Sequence, residues 1–120
     1  MRKYDRQKGM VIRMEVLYSS TRNSGKTVTA SEAILKGLSE DGGLFVPDHI
    51  PMLPCSMRDL MDKNYQETAH EVMRLFLTDF TEEELKGCIA RAYDSKFDTE
   101  VIAPLVEAEG TYYLELFHGA

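Results

Sequence analysis

Two helix-start signatures in close succession limit the possible folds most strongly. Asn64 with Glu67, and Thr81 with Glu84, each place a capping residue three positions ahead of a glutamate, which is the pattern of a capping box. Apolar residues follow each cap at steps of three and four: Tyr65, Ala69, Val72, Met73, Phe76 and Phe80 in the first stretch, and Leu85, Cys88, Ile89, Ala92 and Tyr93 in the second. The spacing predicts two amphipathic helices joined by a very short turn, an αα-hairpin with a buried face.

The chain before this hairpin mixes short strands with one helix. Alternating apolar residues over 14–19 predict a strand, and a polar loop over 20–28 follows it. Thr29 with Glu32 predicts the next helix start, after which Ala33, Ile34 and Leu38 share one face. Asp41-Gly42-Gly43 is expected to end that helix, because a glycine after the last turn adopts the left-handed conformation easily.

The remaining segments are shorter or irregular. "LFVP" at 44–47 predicts a short strand, and the proline-rich stretch 47–56 predicts a rigid connector before a short helix capped by Ser56. Near the end, Glu109-Gly110 predicts a turn and residues 112–117 a strand. The sequence therefore predicts an α+β fold: a small mixed domain, mostly helical, with a short sheet of two or three strands.

Length and charge favour one acidic domain. The 120 residues suit a single domain, and the net charge of −6 divides into +4 over residues 1–13 and −10 over the rest. We therefore expect a basic extension over 1–13, disordered or foreign to the natural protein, and a folded domain over 14–120. An acidic body repels phosphate backbones, so no nucleic-acid partner is expected.

The same composition argues against a metal or a membrane. Cys55 and Cys88 match no metal-ligand spacing and the three histidines do not cluster, so no metal is expected. No apolar run approaches the roughly 18 residues of a membrane span, so no membrane partner is expected. Two scattered thiols favour a cytoplasmic location.

The stretch "STRNSGKT" at 20–27 raises a nucleotide-binding P-loop as an alternative. The P-loop motif requires a glycine where this chain has Ser20, and that glycine lets backbone amides curl around phosphates. The motif also requires the helix to begin at the Gly-Lys pair, whereas the capping box places the start at Thr29. No series of alternating strands and helices follows. Nucleotide binding through Lys26 therefore remains a distant third hypothesis.

Several stretches together resemble the N-terminal domain of threonine synthase. They are "YSSTRN" at 18–23, "SEAILKGLSEDGGLFVP" at 31–47, "YQETAHEVMRLFLTDFTEEEL" at 65–85, "AYDSKF" at 92–97 and "YLELFHG" at 113–119. Their order and spacing agree with the family over about a hundred residues. One departure is Asn23, where the family usually has glycine. The resemblance implies the N-terminal domain of a fold-type II enzyme dependent on pyridoxal phosphate (PLP).

The resemblance also implies a reaction and shows what this sequence lacks. The family converts O-phospho-L-homoserine and water to L-threonine and phosphate, with PLP as the electron sink. In the family, "HGPT" and a Phe-Lys-Asp segment carry the lysine that binds PLP, and this sequence instead ends at Ala120 after "HG". The lysines present all lie outside that motif, so we expect no catalytic residue and no bound PLP in this chain. Its expected partner is the missing C-terminal PLP-binding domain, with self-association through the surface that this domain would cover.

Three groups of residues are candidates for the active-site side of the complete enzyme. Ser20-Thr21-Arg22 offers two hydroxyls and a guanidinium for a phosphate or carboxylate, or alternatively caps a turn and forms a structural bridge. Asp41-Gly42-Gly43 is expected near the cofactor domain, or alternatively only ends a helix. His118-Gly119 leads toward the cofactor lysine of the family, or alternatively His118 is a buried structural histidine.

Two hypotheses for the function stay open beside the P-loop. The first is an N-terminal segment of threonine synthase that is inactive by itself. The second is a stand-alone, non-catalytic interaction module with the same fold. The DNA sequence beyond codon 120 distinguishes them, because only the first predicts the Phe-Lys-Asp segment downstream.

Overall fold

The computed structural model describes residues 3–5, 10–12, 14–23 and 25–119. These residues contain four helices and seven short strands. The strands are β1 (Lys3–Asp5), β2 (Met10–Ile12), β3 (Tyr18–Ser20), β4 (Thr27–Val28), β5 (Phe45–Pro47), β6 (Leu105–Ala108) and β7 (Thr111–Leu114). The helices are α1 (Ala30–Lys36), α2 (Met57–Met61), α3 (Tyr65–Phe76) and α4 (Glu82–Ala92). The α+β prediction is confirmed, with more strands than the sequence indicates.

The strands form three separate antiparallel sheets. β3 lies at the centre of a three-stranded sheet between β4 and β5, with Tyr18 opposite both Val28 and Pro47. β1 pairs with β2, and β6 pairs with β7 across the turn at Glu109-Gly110. Both turn residues have positive φ, 52° and 75°, as a type I′ hairpin requires. β1 and β2 lie within residues 1–13, which we expect to be a basic extension. The division of the chain into this extension and a folded domain over 14–120 stays a prediction.

All four helices begin as the capping patterns predict. Thr29, Ser56, Asn64 and Thr81 each accept a hydrogen bond from the third residue of their helix, whose side chain bonds back to the cap. Each reciprocal pair satisfies backbone amides that lack a partner within the helix. The short turn between α3 and α4 brings these two helices against each other, so the predicted αα-hairpin forms.

The predicted ends and buried faces of the helices need correction. α3 ends at Phe76 and not at Phe80, because Leu77 leaves the helical region with ψ of 64°. The residue of α3 with the least exposure is Leu75, which the predicted stripe omits, and Tyr65 and Val72 are exposed. In α4, Leu85 and Ile89 are buried as predicted, whereas Cys88 is exposed.

The N-terminal elements also differ in detail from the sequence prediction. The strand covers 18–20 and not 14–19, and the expected polar loop contains β4. α1 ends at Lys36 with Gly37 as its cap at φ 71°, so Asp41-Gly42-Gly43 does not end a helix. Ala33 is buried as its stripe predicts, but Ile34 and Leu38 are exposed.

A small core holds the strands to the α3–α4 hairpin. Its buried apolar side chains are Val16, Val28, Ala30, Ala33, Leu75, Leu85 and Ile89. Two hydrogen bonds reinforce the junction after α3: the Val16 amide donates to Thr78 Oγ1 at 3.1 Å, and the Tyr18 hydroxyl donates to the Phe76 carbonyl at 3.0 Å. These contacts fix β3, and therefore the loop after it that carries the candidate site.

Candidate functional site

The structure brings two of the three predicted groups together. Ser20 is the last residue of β3 and Thr21-Arg22 follows it, whereas Asp41-Gly42-Gly43 comes after α1. Between α1 and β5 the chain reverses direction through a bridge between Leu38 and Leu44 and a turn in which the Gly42 amide donates to the Ser39 carbonyl at 2.8 Å. Antiparallel pairing of β3 with β5 then sets this turn beside Ser20. We call these six residues, 20–22 and 41–43, the Arg22 cluster.

The Asp41 carboxylate organises the Arg22 cluster. Its Oδ1 accepts from the Ser20 hydroxyl at 2.7 Å and from the Gly43 amide at 2.9 Å. The second bond is an Asx-type contact within the turn, and the first ties the turn to the end of β3. The Ser20 hydroxyl, with the Gly43 amide next in effect, holds the pKa of Asp41 below its usual value. Asp41 is therefore ionised at neutral pH and keeps both bonds.

The two hydroxyls have structural partners. Ser20 is buried, and its Oγ both donates to Asp41 and accepts from the Arg22 amide at 3.1 Å. Thr21 Oγ1 accepts from the Leu44 amide at 3.1 Å, which leaves its hydroxyl proton free to donate. Ser20 is thus committed to the turn, while Thr21 retains one donor toward solvent.

Arg22 is exposed and is held by a neutral group. Its Nη1 donates to the Asp41 backbone carbonyl at 2.8 Å. Among the residues that the structure describes, its Nε and Nη2 have no protein acceptor and no carboxylate lies within ion-pair distance. The guanidinium therefore retains a fork of donors, the arrangement that recognises carboxylate or phosphate oxygens.

Both glycines of the turn are required by close contacts. Gly42 has φ of 78°, and a Cβ there would lie 2.8 Å from Arg22 Nη1. A Cβ on Gly43 would overlap Ser20 Oγ. The absence of side chains at these two positions allows Arg22 and Ser20 to lie across the turn.

The lysine of the P-loop alternative is paired with an exposed carboxylate. Lys26 Nζ is 3.8 Å from Glu40, and Lys36 Nζ approaches the same carboxylate at 3.5 Å. β4 separates Lys26 from α1, which begins after its cap at Thr29. Lys26 is thus not at a helix N-terminus, and the geometry that a P-loop requires is absent from this part of the described chain.

The third predicted group belongs to a different contact region. His118 Nε2 lies 2.6 Å from Glu115, its side chain is 14% exposed, and its carbonyl accepts from the Asp98 amide at 2.9 Å. Gly119 packs so closely on Phe97 that a Cβ would overlap the ring. No hydrogen bond or ion pair between described residues joins His118 to the Arg22 cluster.

Phe97 is the residue that sequence reasoning misses at this end of the chain. Its ring lies 6.1 Å from that of Tyr93, which in turn meets Tyr65 edge to face at 5.0 Å. These aromatic contacts link the terminal segment to the α3–α4 hairpin. "AYDSKF" enters the sequence argument only through the family resemblance, and no spacing rule connects Phe97 with Gly119.

The described residues form neither a metal site nor a membrane-spanning helix. Among the described residues, no three metal-ligating side chains gather into a group that could hold an ion. Likewise, none of the described helices has the length and apolar character needed to cross a membrane.

Comparison with known proteins identifies the family of this chain. A family model described as the threonine synthase N terminus matches residues 17–93. The threonine synthase of Schizosaccharomyces pombe is 41% identical over 109 residues, covering 88% of this chain and 21% of that protein. The enzyme of Saccharomyces cerevisiae is 38% identical over 113 residues, covering 86% of this chain and 22% of that protein.

A solved structure is similar as well. The crystal structure of PLP-bound threonine synthase from Brucella melitensis superposes with a TM-score of 0.76 at 32% identity, covering 88% of this chain and 23% of that one. The predicted resemblance is confirmed. The chain spans about a fifth of the length of the curated relatives it matches.

Proposed function

The chain belongs to the threonine synthase N-terminal family, and on this premise we propose that it is the N-terminal domain of a threonine synthase. The proposed reaction converts O-phospho-L-homoserine and water to L-threonine and phosphate. When bound to the complete enzyme, PLP supplies the electron sink for elimination of phosphate and addition of water. No lysine of this sequence lies in the family's PLP-binding motif, so we assign the lysine that binds PLP to the remaining part of the enzyme.

The role that we assign to this domain is to present a cation to a substrate oxyanion. The observation that carries this assignment is the contact of Arg22 Nη1 with the Asp41 carbonyl, because a guanidinium held by a carbonyl retains its charge for a ligand. Lys26 and Lys36 both lie beside the Glu40 carboxylate, which offsets part of their positive potential. Thr21 adds a hydroxyl donor beside Arg22. This arrangement is supported by the rest of the Arg22 cluster, Ser20, Asp41, Gly42 and Gly43.

The partner that we propose is the PLP-binding part of the enzyme. Large apolar side chains of the described residues are exposed, among them Leu44, Ile50, Met52, Leu116 and Phe117. Exposed apolar surface of this kind is typical of a protein–protein contact. Contact with a larger domain would cover such a surface, and His118-Gly119 lies in the terminal segment that we assign to the cofactor side.

The free thiols of Cys55 and Cys88 support a cytoplasmic location, where cysteines stay reduced.

In the absence of its partner domain, we also propose that the chain associates with itself through the uncovered apolar surface.

The test of the function is a graft. Residues 14–119 would replace the matching segment of the 41%-identical relative, and phosphate release from O-phospho-L-homoserine would be measured. We expect the graft to be active and the 120-residue chain, supplied with PLP, to be inactive. A folded graft without activity would overturn the proposal and favour the stand-alone interaction module. Threonine production by the 120-residue chain alone would also contradict it.

A further inference from the structure

We infer that Asp41 is a positioning residue, whose side chain locks the turn so that its own backbone carbonyl holds Arg22 toward the ligand. This inference rests on the proposed function, in which Arg22 binds an oxyanion. Asp41 lies beside this anion site, and its negative charge alone would weaken the binding of an oxyanion. We infer that it strengthens this binding because it fixes the position of Arg22.

The side chain and the backbone of Asp41 make different contacts. Its carboxylate oxygen Oδ1 accepts from Ser20 and Gly43, at 2.7 and 2.9 Å, whereas its backbone oxygen accepts from Arg22 at 2.8 Å. The carboxylate is therefore occupied in fixing the turn. Arg22 receives a neutral acceptor, which orients Nη1 without forming an ion pair.

The position of the Asp41 carbonyl depends on these side-chain contacts. Gly42 and Gly43 have no side chains to hold the turn, and Gly42 is at φ 78°. Apart from the Arg22 bond itself, the Ser20–Asp41 bond ties this turn to the end of β3, and the bonds of Thr21 with Leu44 lie just beyond the turn. Removal of Oδ1 leaves the Ser20 hydroxyl and the Gly43 amide without their acceptor. The backbone bonds of Ser39 with Gly42 and Gly43 remain, but the carbonyl loses its tie to β3 and moves more freely.

Charge and geometry predict opposite results for the effect of Asp41→Ala on anion binding. If Asp41 acts only through its charge, then both Asp41→Asn and Asp41→Ala remove a repulsion and strengthen anion binding. If Asp41 acts as a positioning residue, asparagine retains Oδ1 as an acceptor for Ser20 and Gly43, whereas alanine does not. Asp41→Asn should then bind at least as tightly as the parent chain, and Asp41→Ala should bind more weakly.

The experiment uses the 120-residue chain and inorganic phosphate as the probe. The Nε–Hε resonance of Arg22 would be followed by ¹H–¹⁵N NMR during a phosphate titration at neutral pH and constant ionic strength. We expect Asp41→Ala to weaken the dissociation constant by about fivefold, the loss of roughly one hydrogen bond's net contribution. Asp41→Asn should match or exceed the parent affinity. Asp94→Ala removes an equal charge from a loop with no contact to Arg22 and should leave the constant unchanged.

A measurement without ligand separates this inference from the proposed function. The ¹⁵N heteronuclear NOE of Arg22 Nε should be high in the parent chain and in Asp41→Asn, and should fall in Asp41→Ala and Ser20→Ala. This pattern supports the inference even if phosphate does not bind. Equal NOE values in all four proteins would overturn it, as would an Asp41→Ala variant that binds phosphate as tightly as Asp41→Asn.

Discussion

At Gly43 the backbone passes so close to Ser20 that a Cβ would overlap the hydroxyl oxygen. We predict that Gly43→Ala lowers the free energy of unfolding by about 1–3 kcal/mol, since an added methyl group in a filled site forces its neighbours apart. The matched control is Gly87→Ala in α4, where a Cβ would lie 3.2 Å from the movable end of Arg91. That variant should be neutral or more stable by up to about 1 kcal/mol, because alanine favours helix over glycine. Urea denaturation measures both, and equal effects would contradict this explanation of Gly43.

The lowered pKa of Asp41 predicts a pH dependence. The hydrogen bonds of Asp41 with Ser20 and Gly43 lower this pKa in the folded state. The carboxylate therefore stabilises the fold at pH values above its ordinary pKa of 3.8. This contribution is lost as the pH falls below 3.8 and through the lower folded-state pKa. We expect the parent chain to lose more stability than Asp41→Asn between pH 5 and pH 2.5. The melting temperature would be measured by thermal denaturation across this pH range. An equal fall with pH in the parent chain and in Asp41→Asn would show that the Asp41 carboxylate does not stabilise the fold.

Single residues divide clearly into those the sequence could predict and those it could not. The capping residues Thr29, Asn64 and Thr81 were predictable because their partners lie three positions away in sequence. The bond from Ser20 to Asp41 spans 21 positions, and the sequence carries no local rule for it. The family resemblance indicates Ser20, Asp41 and Arg22 as site residues. Only the structure shows that Ser20 is hydrogen-bonded within the turn and that Arg22 is exposed to solvent.

Among the elements, α4 offers the simplest test of the capping argument. The Thr81 hydroxyl accepts from the Glu84 amide, and the Glu84 carboxylate accepts from the Thr81 amide at 2.9 Å. We predict that Thr81→Ala lowers the free energy of unfolding by about 1 kcal/mol, the usual cost of losing a cap. Thr81→Ser retains the hydroxyl and should lose only a few tenths of that amount. Equal losses in the two variants would assign the effect to the methyl group and not to the cap.

Helix ends were less predictable than helix starts. The stripe from Tyr65 continues to Phe80 in spacing, but α3 stops at Phe76 because the chain must turn before the next cap at Thr81. Apolar periodicity continues through such a turn, since Phe80 still packs partly within the structure. In the same way Gly37, and not Gly42 or Gly43, ends α1, and a sequence with three nearby glycines does not reveal which one takes that role.

At the scale of the whole molecule, the small core and the large exposed apolar surface go together. Both faces of the β6–β7 hairpin are exposed, and an isolated two-stranded hairpin is marginally stable in water. These features fit a domain that is completed by contact with a larger partner.

The exposed surface predicts self-association of the 120-residue chain. Leu116 and Phe117 are 73% and 72% exposed and lie next to β7. We expect the apparent mass from light scattering to rise with concentration, and the double substitution Leu116→Ser with Phe117→Ser to reduce this rise. Leu35→Ser removes a comparably exposed leucine from α1 and serves as the control. A monomeric mass across a wide concentration range would contradict the prediction.

The central claim is that this domain gives a threonine synthase the cation that binds its substrate oxyanion. The most direct measurement is kcat/KM for O-phospho-L-homoserine in the graft of residues 14–119, with Arg22 and with Arg22→Ala. Loss of a charge-assisted hydrogen bond predicts a decrease of roughly tenfold to a hundredfold in Arg22→Ala. Arg91→Ala, which removes an exposed arginine that contacts Cys88, should leave kcat/KM unchanged. An active graft whose kcat/KM is the same with and without the Arg22 guanidinium would contradict the claim.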